Sequence, residues 1–143
     1  MINLQRHDNL CPGSISDDLE IKPALHSISG AELIKREFPL FATESIISAV
    51  YNHTVGSPDM DLFSQIIFIS DYIEPGRVYP YSIELRNFFF DGLKECCDDN
   101  SKLKLLHSVI FKILSRTISY LNNHSKKVHP RSLLTKNRFS SLI

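Results

Sequence analysis

The amino-acid sequence predicts an all-α fold, a bundle of helices that cross irregularly. Three observations carry that reading. Apolar residues recur at steps of three and four along most of the chain, helix caps and proline or glycine breaks separate the periodic segments, and no stretch sustains period-two alternation. At 143 residues the chain is long enough for one domain around one core and too short for two. Residues 1–22 form a loosely organised beginning, with a turn at Cys11-Pro12-Gly13-Ser14 and a cap at Ser16-Asp17-Asp18 for a short helix; the domain proper occupies 23–143.

The first helix of that domain starts at Pro23. Leu25, Ile28, Leu33 and Ile34 share a face, and Phe38-Pro39 ends it. Thr43 caps the second helix, with Glu44 at its positive end and Ile46, Ile47, Val50 and Tyr51 as its inner stripe; Gly56-Ser57-Pro58 closes that unit. Asp61 opens a third, DLFSQIIFISDYI, whose β-branched content also suits a strand. The three- and four-residue steps decide for helix, with Leu62, Ile66, Ile69 and Ile73 inward. A fourth helix runs from about Tyr81 to Lys94 and a fifth from Ser101 to about Leu121. The fifth carries Leu103, Leu106, Ile110, Ile113, Leu114 and Ile118 as its apolar stripe. Pro130 suits the first turn of a short last helix. Phe88-Phe89-Phe90 is expected in the core, and Cys96-Cys97-Asp98-Asp99-Asn100 reads as a helix end and loop.

Composition excludes several classes. Sixteen basic and sixteen acidic residues balance, so the totals point to neither nucleic acid nor an anionic membrane. No apolar run approaches the roughly 20 residues that cross a bilayer, and MINLQRHDNLC lacks the apolar centre of an export signal, so a cytoplasmic protein is expected. Cys11, Cys96 and Cys97 are odd in number and badly spaced for disulfides or a zinc cage, so free thiols are expected.

His26, His53 and Asp71 stand out among the polar residues. They lie in ALHSI, AVYNHT and FISDYI, on three successive apolar helices. Burying imidazoles and a carboxylate costs several kcal/mol unless compensated, and a divalent cation compensates well. Against this, Asp71 serves equally as a turn cap, and histidines bond to backbone carbonyls. His107 and His124 have no acidic companion at helical spacing, and Lys126, Lys127, His129 and Arg131 alone make a solvated basic patch.

The segment HTVGSPDMDLFSQIIFISDYIEPGR resembles one carried by bacterial HD-domain hydrolases that split diadenosine tetraphosphate symmetrically. PALHSISGAELIKREF is similar to that family's leucine-histidine-glycine helix start, and VHPRSLLTKNR to its closing segment. The resemblance covers roughly Ser16 to Arg138, with several motifs in order, DYIEPGR being the most specific. It implies the C-terminal part of an HD-domain helical bundle, a di-iron site, and symmetrical cleavage to two ADP. By position, His26 and His53 bind one metal and Asp71 the other, while Thr54 and Arg77 contact substrate phosphate beside His53 and Asp71. Val128, His129, Pro130, Arg131, Ser132 and Leu133 lie along the nucleotide, with His129 or Arg131 touching base or phosphates.

The family also carries an earlier histidine and a histidine-aspartate pair followed by lysine, whose aspartate bridges the metals. Upstream of His26 there is too little chain for that pattern, which leaves the bundle incomplete at its N-terminus. His7-Asp8 sits too close to His26 and is expected to be ordinary exposed residues. Two metals about 4 Å apart supply a nucleophile and neutralise phosphate charge. With three of six protein ligands missing, the expectation is a weak single-metal site and impaired turnover. The alternative is a degenerate, non-catalytic HD domain that binds nucleotide or a partner protein. Expected partners are a dinucleoside polyphosphate or ADP, with a second copy or an upstream adenylyltransferase or HD segment as protein partners. The stretch 88–110 is longer than the family's, and either packs in the core or meets a partner.

Overall fold

A computed structural model describes the backbone of residues 22–143 and the side chains from Ala24 onward. Among these residues there are six α-helices and no strand: α1 Lys22–Glu37, α2 Glu44–Asn52, α3 Leu62–Ile73, α4 Pro80–Glu95, α5 Asp99–Asn123 and α6 Pro130–Ser140, with a 3-10 turn at Pro39–Phe41. The calls on residues 1–21, including Cys11, Ser16-Asp17-Asp18 and His7-Asp8, lie outside the described residues. No helix among the described residues is long and apolar enough to cross a membrane.

The helix starts have local causes. Thr43 Oγ1 accepts the Ile46 N–H, and Asp61 Oδ1 accepts the Ser64 N–H at 2.7 Å. Asp98 caps α5 in a reciprocal box with Ser101. Asp99 and Asn100 therefore begin a helix rather than continue the expected loop. Cys96, at the end of α4, and Cys97 are free thiols. Pro80 and Pro130 occupy first-turn positions where the missing N–H is harmless.

Two apolar clusters hold the bundle. The larger surrounds α5, whose Val109, Ile110, Ile113 and Leu114 are almost wholly inaccessible, and joins α3, α4 and α6 through Phe68, Leu85 and Phe139. Each such side chain contributes about 1.5–3 kcal/mol on burial. The smaller lies between α1 and α2 and consists of Ile28, Ala31 and Tyr51, with Ile47 and Val50 against them. Ala24, Ser27 and Ala31 are fully buried on α1. A Cβ on Gly30 would come within 3.2 Å of Val50 Cγ1, so small residues let these two helices approach closely.

Two expected inner faces are corrected. On α3, Ile69 and Ile73 are buried as expected, but Leu62 and Ile66 are 55% and 46% exposed, and Ser64, Gln65 and Phe68 are buried in their place. This helix is apolar nearly all round, so periodicity could not set its rotation. On α4 the inward positions are Ser82, Leu85 and Phe89, while Phe88 and Phe90 are 41% and 52% exposed. Spacing of three and four residues selects only the middle ring of the phenylalanine triplet. Leu33 on α1 and Leu103 on α5 also face solvent.

Candidate functional site

The end of α2 brings the first group of polar residues together. His53 sits at the α2 C-cap, and its Nδ1 lies 2.5 Å from the Val50 carbonyl oxygen. A carbonyl only accepts, so Nδ1 carries the proton and Nε2 presents a lone pair. That Nε2 is 2.8 Å from Nε2 of His26 on α1. Thr54 Oγ1 completes a triangle, 3.0 Å from His26 Nε2 and 3.2 Å from His53 Nε2.

Behind this triangle the backbone turns at Gly56, whose φ is +77° and where a Cβ would come within 3.0 Å of Thr135 Cγ2 on α6. Glycine is required there both for the positive φ and for the close approach. The turn is pinned by Ser132 Oγ donating to the Val55 carbonyl at 2.8 Å.

Asp71, in the last turn of α3, faces the same space. A cavity of about 310 Å³ is lined by His26, His53, Thr54, Asp71, Arg77 and Ser132 over a floor of Phe68, Ile113 and Leu114. The three histidine and aspartate residues picked from sequence thus share one cavity. Their surroundings differ from expectation, however. His26 and Asp71 are exposed and His53 is half-buried, so the site opens at the surface instead of lying inside an apolar interior. With the polar groups so exposed, little desolvation has to be offset there.

Asp71 Oδ2 is 2.7 Å from Arg77 Nη2. The loop carrying Arg77 is held by Arg86 of α4, a residue that sequence reasoning missed. Arg86 Nε donates to the Ile73 carbonyl at 2.7 Å, and its Nη2 donates to the carbonyls of Glu74 and Arg77. Glu74 Oε2 accepts the Gly76 N–H at 2.7 Å and tightens the same turn. No sequence period signals three such carbonyls converging on one guanidinium.

The closing segment is held by local contacts. His129 is 2% exposed, and its Nδ1 accepts the Arg131 N–H to cap α6. Arg131 lies over the Tyr51 ring, 4.4 Å from its centroid, and donates to Asn52 Oδ1 at 3.3 Å. Val128 packs against the core, Pro130 and Leu133 are exposed, and Ser132 reaches the cavity wall.

The donor set suits a cation in part. His26 and His53, whose Nε2 atoms approach to 2.8 Å, are the two imidazoles that would hold such an ion. With His53 Nε2 as the acceptor, the 2.8 Å contact is a hydrogen bond donated by His26 Nε2, and a cation would take the place of that proton. Among the described residues, no group of three or more histidine, cysteine or acidic side chains forms a complete cage. Asp71 is taken up by Arg77.

No protein-family profile matches the chain. It is 30% identical over 114 residues to the symmetrical bis(5'-nucleosyl)-tetraphosphatase of Halalkalibacterium halodurans, covering 80% of this chain and 54% of that one. It is 30% identical over 120 residues to the enzyme of the same description from Bacillus subtilis, covering 83% and 57%. The chain thus spans about half the length of the curated relatives it matches. Its fold matches a crystal structure from Clostridium acetobutylicum, described as a predicted HD superfamily hydrolase involved in NAD metabolism. That match has a TM-score of 0.75 at 26% identity and covers 98% of this chain and 66% of that one. In sequence, then, the chain is similar to the symmetrical bis(5'-nucleosyl)-tetraphosphatases, and in fold to an HD-superfamily hydrolase, as its motifs imply.

Proposed function

We propose that this chain carries the phosphate-gripping and metal-anchoring part of a phosphohydrolase that cuts dinucleoside tetraphosphates symmetrically into two nucleoside diphosphates. The observation that supports it most is the convergence of His26, His53, Thr54, Asp71 and Arg77 on one cavity. That convergence occurs in a chain 30% identical to symmetrical tetraphosphatases.

Each residue has a role that its surroundings favour. His26 and His53 hold a divalent cation, iron by resemblance, through the two converging Nε2 atoms. When bound, such an ion polarises a phosphoryl oxygen and lowers the pKa of a water. Thr54 donates its hydroxyl proton to a phosphate oxygen. Arg77 turns its planar fork to the phosphate bridge, where the same charge serves the developing anion. The Asp71–Arg77 pair is 45% and 36% exposed. Such a pair is worth roughly 0–1 kcal/mol, so it opens readily when phosphate takes the arginine and a cation takes the carboxylate. Ser132 and the α6 start flank the nucleotide.

With two imidazoles and one shared carboxylate among the described residues, turnover is expected to be slow, and product identity is the informative readout. Incubation with diadenosine tetraphosphate and ferrous, manganous or cobaltous ion should yield ADP alone. AMP with ATP, or no binding of either nucleotide, contradicts the proposal. Replacing Arg77 with glutamine should weaken ADP binding about tenfold to a hundredfold, the worth of a charge-assisted hydrogen bond.

The absence of a three-ligand group among the described residues favours a second reading, a domain that binds nucleotide without catalysis. It predicts ADP affinity that survives EDTA, whereas the hydrolase reading predicts a loss.

A further inference from the structure

A second cavity, of about 480 Å³, opens beside the first and shares Tyr72, Arg77 and Thr117 with it. The rest of its wall includes Tyr79 and Tyr81 at the start of α4, with Pro80 and Ser82 beside them, and Arg116 and Tyr120 on α5. We propose that this cavity receives the second nucleoside diphosphate unit of the substrate, with Arg116 gripping its phosphates and the tyrosines taking its base. The inference rests on the hydrolase reading above and deepens it.

Size, charge and surface chemistry all favour this occupant. Each cavity falls within the roughly 300–1,000 Å³ usual for small-ligand sites. They meet at Arg77, so a polyphosphate bridge passing that guanidinium would leave one nucleoside on either side.

Arg116 is exposed, and no carboxylate lies within ion-pair distance of it among the described residues, unlike Arg77 with its Asp71. Instead, its guanidinium lies over the Tyr81 ring at 5.2 Å from the centroid, a contact that orients the fork without neutralising it.

Tyr72 and Tyr81 meet edge to face at 6.4 Å, and the Tyr81 hydroxyl donates to the Lys112 carbonyl. These contacts make a rigid aromatic corner. Burial, chiefly, pushes both phenols above their usual pKa, so the wall stays uncharged toward phosphate. Tyr79 is 69% exposed and offers the kind of surface on which bases stack without regard to sequence, whereas the Tyr120 ring is already covered by the His124 ring at 4.1 Å and by Lys126 Nζ at 5.4 Å and serves as wall.

The test compares ADP with diadenosine tetraphosphate by calorimetry on the full chain, using Arg116→Gln and Tyr79→Ala. Both residues are exposed, and unchanged melting temperatures check the fold. The wild type should bind the dinucleotide more tightly than ADP. In Arg116→Gln that advantage should shrink tenfold or more while ADP affinity moves less than threefold, and Tyr79→Ala should shrink it more modestly. An undiminished advantage in both variants overturns this assignment alone. So does an equal loss for both ligands, which would make Arg116 a general phosphate contact. A wild-type chain that binds neither ligand overturns the hydrolase reading as well.

Discussion

The two walls of the site are built to different depths. Among the described residues, the histidine wall, α1 and the end of α2, rests on the small cluster of Ile28, Ala31 and Tyr51, with Ala24 and Ala49 buried beside it. The arginine wall, α3 to α5 with the loop pinned by Arg86, stands on the large cluster around α5. Fewer buried apolar contacts mean a smaller free energy for local opening. The histidine wall is therefore expected to be the more mobile, and the arginine wall the more fixed. Ser45 Oγ donates to Asp61 Oδ2 at 2.9 Å and ties the walls directly, while α6, seated on the large cluster, reaches the end of α2 through Ser132 to Val55 and Arg131 to Asn52.

The largest test removes the frame. Phe139 is 1% exposed within the main cluster, and Phe139→Ala should cost about 3–5 kcal/mol in denaturant unfolding. If both walls are equally deep, amide exchange in α1 and α2 will match that in α5; the comparison predicts faster exchange in α1 and α2. A smaller change cuts the link. Asp61→Ala removes the α3 cap and the Ser45 contact, and should cost about 1 kcal/mol.

The smallest effect comes from pH. His107, buried on α5 against Phe139 with Nδ1 unpartnered, has its pKa held below the ordinary value chiefly by burial. The folded state therefore keeps the ring neutral while the unfolded chain takes up the proton first. That contribution is whole above the unfolded value, about 6.5, and is lost as pH falls from there toward the folded value. The melting temperature should drop between neutral pH and pH 5, and His107→Gln should flatten that drop.

Much of this architecture was legible in the sequence. Thr43, Asp61 and Pro130 marked helix starts because each satisfies or avoids an orphan N–H locally. The phase of α3 was not legible, since Leu62, Ile66 and Phe68 are equally apolar and only packing chose Phe68. His26, His53 and Asp71 were legible through motif order, yet their exposure was not. Apolar neighbours in sequence occupied other faces of the same helices. Arg86 and the tyrosine-lined cavity went unseen because they arise where α3, α4 and α5 meet, a juxtaposition that no local pattern encodes.

The central claim is that the His26 and His53 imidazoles form one cation site beside a phosphate grip. Titrating chelator-stripped chain with cobaltous ion, followed by visible absorption, addresses it directly. The account predicts a single site whose affinity falls tenfold or more in His26→Ala and in His53→Ala and is unmoved in His124→Ala. Cobalt binding that is absent, or indifferent to both histidines, would contradict it.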